Sequence, residues 1–360
     1  MFNSLHGVTQ EFKTKPESFR WPAQRFPARE AQTPAHILDS CITSHKMISC
    51  GMMKLRACLL FLAAMVAWNA AAEQEKPLSK RPFCWVMKSP GESIESYLLG
   101  SIHVAKPEIY PLPASVEDAF LASEVIVVEA DPQESQSPRL REMLIGRAMN
   151  VSGAKLEDVL SEDAYGRLVS YAKKANLKMP MLNRFKPWYV AQMITVIEMQ
   201  KLGFKAEHGI EVYFLGRARG KMPMVELEGA EYQLEFLNSF SLAEQSLMLE
   251  YALLDLENIG SLVDDMMAAW LEGSPLRLEK LLHGYLEDVE GLEGVYRKLF
   301  TARNRKMAEK IEVYMTSGKR HFVVVGAGHV VGDDGIIALL RGKGIEVSQL
   351  AADESAVRAD

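Results

Sequence analysis

The apolar positions of this chain follow two rhythms, and each change of rhythm marks an element. "CWVMKS" (Cys84–Ser89) and "SYLLGSIHV" (Ser96–Val104) are short, strand-like runs joined by the turn-rich "PGESIE", which predicts a hairpin. "LPASVEDAFLAS" then carries its apolar residues at helical spacing, and "EVIVVEAD" follows as a continuous β-branched run. Such a run suits a strand buried on both faces, as in a parallel sheet. Strand, helix and strand within roughly thirty residues predict a βαβ unit.

The middle of the chain keeps the helical period. Helices are expected near Ser161–Asn176, Lys186–Leu202 and Gly209–Arg219, ahead of a strand in "MPMVELE" (Met222–Glu228). "SLAEQSLMLEYALLDLENI" opens with Ser241 and Glu244, the spacing of a capping box. Helical periodicity continues to about Ser317, broken at Gly273 and Pro275. The chain closes with the strand "HFVVVGAGH", a helix between Gly332 and Gly342, and the strand "IEVSQL". The expected class is α/β (α+β): a mixed, partly parallel sheet from the N- and C-terminal strands, with a large helical insertion at about 137–317, in a domain spanning 82–352.

Composition changes this picture little. At 360 residues with a net charge of −6, the chain can bury a substantial core, and no basic tract points to nucleic acid as a partner. The N-terminus matters more. "MKLRACLLFLAAMVAWNAAAEQ" begins at Met53 with Lys54 and Arg56, runs apolar from Ala57 to Ala67, and meets the small residues Ala70, Ala71 and Ala72. That is the layout of a secretory signal peptide over 53–72. It is too short for a membrane span of about 20 apolar residues, so no stable span is expected after cleavage, and the location expected is periplasmic or secreted. Residues 1–52 read as a spurious or disordered extension, with Met53 or Met52 as the initiator. Cys41, Cys50 and Cys58 fall in the removed part, which leaves Cys84 as a small core residue without a disulfide partner.

Two strands end in the same phrase, Gly-x-x-His: Gly100 to His103 and Gly326 to His329. With Glu129 and Glu228 they give four strand ends bearing groups that bind metal or move protons, and open α/β sheets bind ligands outside the carboxyl ends of their strands. Gly100, Gly326 and Gly328 are expected to allow sharp backbone conformations and close approach there. Two imidazoles with one or two carboxylates suit a divalent cation such as Zn, Mn or Co, and a spare carboxylate can serve as general base. A single strand-end histidine is ordinarily structural; it is the repetition that singles out this pair. Asp131 competes with Glu129 and Glu226 with Glu228 for the site. His208 is expected in a loop before a helix, and His283 and His321 as structural residues. No H-E-x-x-H, G-x-S-x-G or P-loop motif is present.

"YLLGSIHV…LP…VVEAD", "GIEVYFLGRARGKMPMVELEG", "RNRKMAEKI" and "FVVVGAGHVVGDDGIIALLRGKGIEV", in that order, resemble the TraB/GumN family, which includes the animal Tiki proteins. The resemblance covers about Phe83 to Leu350. It implies a metal-dependent hydrolase with two G-x-x-H motifs and an essential glutamate. Carried over by position, these fall on His103 and His329, with Gly100 and Gly326, and on Glu129. Further family positions fall on Gly209, Glu228, Arg303 and Asn304. Where the family often has Asp after "GI", this chain has Glu211, a carboxylate on a longer arm. The function expected is an exported, peptidase-like metal-dependent hydrolase acting on a peptide or small-molecule substrate. The alternative is a non-catalytic periplasmic binding or sequestering protein for a peptide or metal-bearing ligand. Mass spectrometry of the native protein is expected to find an N-terminus near Ala71–Gln74; a mature chain still carrying residues 1–52 would remove the signal-peptide reading.

Overall fold

The structure, a computed structural model, describes residues 81–352 apart from 255, 257–258 and 284–290. The leader and signal peptide expected over residues 1–72, with Cys41, Cys50 and Cys58, lie outside the described residues. So does the side chain of His283.

The β-branched and aromatic runs form one six-stranded sheet. Its strands are β1 (Cys84–Lys88), β2 (Glu95–Ser101), β3 (Val125–Val128), β4 (Met224–Glu226), β5 (His321–Gly326) and β6 (Glu346–Gln349), in the order β4-β3-β5-β2-β1-β6. β1 pairs antiparallel with both β2 and β6, while β4, β3, β5 and β2 run parallel to one another. The two strands that lead into Gly-x-x-His are direct neighbours, with Gly100 opposite Val325 and Ser101 opposite Gly326. All residues of β3 and β5 are buried. Each such Val or Ile contributes about 1.5–3 kcal/mol relative to exposure, so these strands sit at the sheet's centre.

The helices of two turns or more are α1 (Ala114–Leu121), α2 (Pro138–Ala148), α3 (Glu162–Lys174), α4 (Pro187–Lys201), α5 (Ile210–Ala218), α6 (Ala230–Asn238), α7 (Leu242–Leu254), α8 (Ile259–Leu271), α9 (Pro275–His283), α10 (Arg303–Met315) and α11 (Ile336–Gly342). α1 and α5 meet the sheet through aromatic rings: Phe120 and Phe214 lie 5.5 and 4.8 Å from the ring of the fully buried Phe322. Ile311 of α10 and Leu340 of α11 join the same core. A second core, separate from the sheet, holds Leu168, Ile194, Leu249 and Leu262 of α3, α4, α7 and α8. α7 starts with the expected capping box: the Glu244 N–H donates to Ser241 Oγ, and Ser241 N donates to Glu244 Oε2 at 2.8 Å. Among the described residues, no helix is long and apolar enough to cross a membrane.

Three expectations need correction. The last Gly-x-x-His run leaves the sheet at Gly326, and His329 stands on a helical turn, Ala327–Val330. β2 likewise stops at Ser101, two residues before His103. Gly100, Gly326 and Gly328 do not adopt the left-handed backbone that favours glycine; what they give is space. A Cβ on Gly100 would lie 2.5 Å from the ring of Phe83, which is buried against Trp85. Cys84 is buried, and burial pushes its thiol up to about 12, so it stays protonated. Gly100→Ala is expected to overpack this corner and cost about 1–3 kcal/mol in urea unfolding, and adding Phe83→Leu should recover part of the loss. Additive losses in the double variant would show that the two positions do not meet.

Candidate active site

Parallel pairing aligns the carboxyl ends of β2, β3, β4 and β5 along one edge, and the chain leaves each strand carrying a polar group. Glu129, one residue past β3, is 6% exposed. Its Oε1 accepts the Gly326 N–H at 2.6 Å, and its Oε2 accepts from Arg303 Nη2 at 3.0 Å and Gln233 Nε2 at 3.3 Å. Arg303 also donates to Glu228 twice, from Nε at 2.7 Å and Nη2 at 2.6 Å. One buried guanidinium therefore joins the ends of β3 and β4 to α10.

Each histidine has one ring nitrogen committed. His103 Nδ1 donates to Glu211 Oε1 at 2.7 Å, and the same carboxylate oxygen accepts from Ser101 Oγ. His329 Nδ1 lies 2.6 Å from Asn304 Oδ1, while Asn304 Nδ2 donates to the Asp334 carbonyl at 2.8 Å. With the amide turned that way, His329 Nδ1 is the donor. His329 Nε2 is left with a free lone pair, and His103 Nε2 offers one once the ring gives up its second proton; a committed Nδ1 is the arrangement that orients imidazole ligands in metal sites.

The two imidazoles differ electrically because their partners differ. The Glu211 carboxylate holds the His103 imidazolium up at about 9 against the opposing effect of burial. His329 leans on a neutral amide, and burial pushes it down to about 3. Burial would raise Glu129, but His329, Arg303, His103 and the Gly326 N–H together outweigh it and hold the carboxyl at about 2. Burial likewise opposes the ionised form of Glu211, which His103 and Ser101 hold below the ordinary carboxylate range.

These groups face one point. A Cβ placed on Gly326 would stand 3.2 Å from His103 Nε2, 3.3 Å from Glu129 Oε1 and 3.5 Å from His329 Cδ2. An imidazole nitrogen and a carboxylate oxygen at this gap, with the second imidazole beside it, fit a divalent cation in donor type. Among the described residues, no three His, Cys, Asp or Glu side chains already stand in a closed ligand set; His329 Nε2 is 3.9 Å from Glu129 Oε1.

The remaining expected positions take other roles. Glu228 is bound by Arg303 and Gln233. Glu226 Oε1 accepts the Asp131 N–H at 2.6 Å, and Asp131 pairs with Arg219, so both belong to the supporting structure. Gly209 is required by proximity, since a Cβ there would lie 2.4 Å from the His103 carbonyl oxygen. Gly328 leaves room for Phe300, whose ring lies 5.0 Å from that of His329. His208 ends a short turn before α5, and His321 is buried at the start of β5, away from the cluster. Sequence reasoning left Glu211 without a role; its signal was its place in the "GIE" motif. Gln233 had no signal at all.

Beside the cluster lies a cavity of about 610 Å³ with mostly apolar walls. His103, Glu129, Arg303 and His329 line it together with Met199, Met266, Met267, Trp270, Phe236 and Phe300. His103 is 63% exposed in its side chain, and it is this cavity that it faces. Phe300 belongs to a π-helical stretch, Arg297–Ala302, directly ahead of Arg303 and Asn304, an irregularity frequent at functional sites.

A mixed sheet thus gathers two oriented imidazoles and a buried carboxylate past its strand ends, at the edge of a cavity. The chain belongs to the TraB/PrgY/gumN family, whose model matches residues 83–349. It is 27% identical over 248 residues to "Uncharacterized protein YbaP" of Escherichia coli (strain K12), covering 68% of this chain and 87% of that one. It is 22% identical over 319 residues to "Metalloprotease TIKI1" of Homo sapiens, covering 75% of this chain and 62% of that one. "Metalloprotease TIKI2" of Danio rerio is 22% identical over 337 residues, covering 79% of this chain and 64% of that one. No solved structure matches the chain at a significant level.

Arg303→Met is expected to leave Glu228 and Glu129 buried without their cation and to cost about 3–5 kcal/mol in urea unfolding at neutral pH. Adding Glu228→Gln should recover part of that loss. A stability change below about 1 kcal/mol in the single variant would show that the triad does not hold the strand ends together.

Proposed function

We propose that this chain is an exported, metal-dependent hydrolase of peptidase type, periplasmic or secreted. The observation that carries the reading is the convergence of His103 Nε2, Glu129 Oε1 and the His329 ring on the gap over Gly326, at the edge of a cavity of ligand size. The relatives named as metalloproteases support it, at 22% identity. The Met53–Gln74 segment supports export.

In this reading His103 and His329 hold the cation through Nε2, with Glu129 Oε1 as the carboxylate ligand or the proton acceptor. A divalent cation such as Zn, Mn or Co would polarise a scissile carbonyl and activate water for attack. Glu211 and Asn304 keep the two rings in the ligating tautomer. Arg303 and Gln233 hold Glu129 Oε2, leaving Oε1 turned toward the gap. A substrate lying against the apolar walls would displace water from His103 and so strengthen the electrostatic interactions at the cluster.

One observation favours a second reading, a non-catalytic binding protein for a peptide or metal-bearing ligand. Both oxygens of Glu129 already accept hydrogen bonds, so a freely available general base is missing among these three groups.

Metal analysis of the purified mature protein, loaded with Mn, Co or Zn, separates the readings. His103→Ala or His329→Ala is expected to remove most of the metal, a loss larger than the 10–100-fold weakening typical of supporting residues. Glu129→Gln should lower peptide hydrolysis by roughly 10²–10⁴-fold; metal retained marks Glu129 as the base, and metal lost marks it as a ligand. Unchanged metal and activity in all three variants would place the site elsewhere. A metal-loaded parent that cuts no member of a broad peptide library would favour the binding reading.

A further inference from the structure

We infer that the cavity beside the cluster is a recognition chamber for an extended peptide segment with large apolar side chains, and that Phe300 selects the side chain next to the bond being cut. The inference rests on the peptidase reading of the site and names its substrate class.

Among the described residues lining the chamber, the one guanidinium, Arg303, is bound by two carboxylates, and the His103 imidazole is bound by Glu211. Glu129 is bound by Arg303, Gln233 and the Gly326 N–H. Each of these charges is answered from within the protein. An acidic or basic side chain entering the chamber would lose its water and find no counter-charge there, which is costly.

What the chamber does offer is apolar surface. Val263, Met266, Met267 and Trp270 contribute one stretch of wall from α8, and Met199 and Phe204 add another. Trp270 donates its indole N–H to the Gly100 carbonyl at 2.6 Å, so its polar tip is already used. Methionine side chains are flexible and polarisable, and a wall rich in them accepts apolar groups of differing shape. At about 610 Å³ the space exceeds what one side chain fills and lies within the usual range for ligand sites.

Two features favour a peptide over a bare acyl chain. Gln136 and Gln192 also line the chamber, and amide side chains of this kind can pair with a peptide backbone, which a hydrocarbon tail cannot use. The apolar wall also reaches the polar cluster itself, because the Phe300 ring lies 5.0 Å from the His329 ring. A residue whose carbonyl sits over Gly326 therefore places its side chain, or its neighbour's, against Phe300.

The test reads binding without turnover. Fluorescein-labelled short peptides, one with Leu and Phe at its centre and one with Asn and Gln in their place, are titrated by anisotropy into the full mature protein treated with EDTA. The apolar peptide is expected to bind at least about tenfold more tightly, the scale on which apolar pockets discriminate. The Met266→Gln/Met267→Gln variant should lose most of that preference, with its fold checked by thermal melting. Should that variant not fold, Phe300→Leu gives the same reading, expected to weaken Phe-containing probes more than Leu-only ones.

Equal affinity for the two peptides would overturn the inference, as would a preference that survives in the folded variants. Decanoate binding more tightly than the apolar peptide would replace it with an acyl-chain site. Because no metal and no cleavage enter the measurement, a parent that hydrolyses nothing leaves the result standing. Equal affinity for the two peptides in a parent that does hydrolyse peptides removes this inference alone.

Discussion

The arrangement at the strand ends depends on one buried charge. Glu129 is ionised where water hardly reaches it, and an anion so placed is tolerated only when it is fully answered. Its answers come from three distant parts of the chain: the Gly326 N–H at the end of β5, Arg303 at the start of α10, and Gln233 of α6. Satisfying them fixes how β3 and β5 end relative to one another and where α10 begins. Arg303 then needs a second anion to use its remaining donors, and Glu228 supplies it from beyond β4. Buried ion pairs of this kind are poor contributors to stability compared with apolar packing. Here the triad holds Glu129 Oε1 toward the gap it shares with the histidines.

The histidines show how a small difference in partner makes two unlike groups from one residue type. The Glu211 carboxylate behind His103 raises that ring to about 9, while burial beside a neutral amide lowers His329 to about 3. Both partners nonetheless engage Nδ1, which leaves His103 Nε2 and the Cδ2 edge of His329 beside Gly326. Titratable neighbours pushed apart in this way are the usual mark of a site that moves protons or holds a cation.

Much of this was legible in the sequence, and the unread parts share a cause. β3 and β5 announced themselves as unbroken β-branched runs, and the duplicated Gly-x-x-His phrase correctly implied that the strands carrying it lie in one sheet. Glu129 followed from its place at a strand end. By contrast, "RNRKMAEKI" reads locally as the solvated start of a basic helix, and only the carboxylates arriving from 75 and 174 residues away turn Arg303 inward. Glu211 was visible as a carboxylate, but its service to His103 depends on β2 lying beside α5. His329 was misread as a strand end because a single helical turn after Gly326 leaves no periodic signal. The chamber was invisible for the same reason: its walls are apolar helix faces that look like ordinary core until the cavity between them is seen.

The origins of wall and floor have a consequence for how such a site can work. The polar floor comes from the strand ends and from α10, and its geometry is locked by hydrogen bonds to backbone atoms and to other buried side chains. Much of the wall comes from α4 and α8, and Met266 and Met267 of α8 pack against both cores. The hydrogen bonds that hold Glu129 come from Gly326, Arg303 and Gln233, so a substitution at either methionine changes chiefly what the chamber accepts. The Trp270 indole is the exception, because it joins the wall directly to the Gly100 carbonyl at the head of the first Gly-x-x-His. Movement of α8 against a ligand would thus be felt at Gly100 in β2, three residues before His103. Recognition in the wall and position in the floor meet at that hydrogen bond, and again where the Phe300 ring lies against His329 and the Phe236 ring against Arg303.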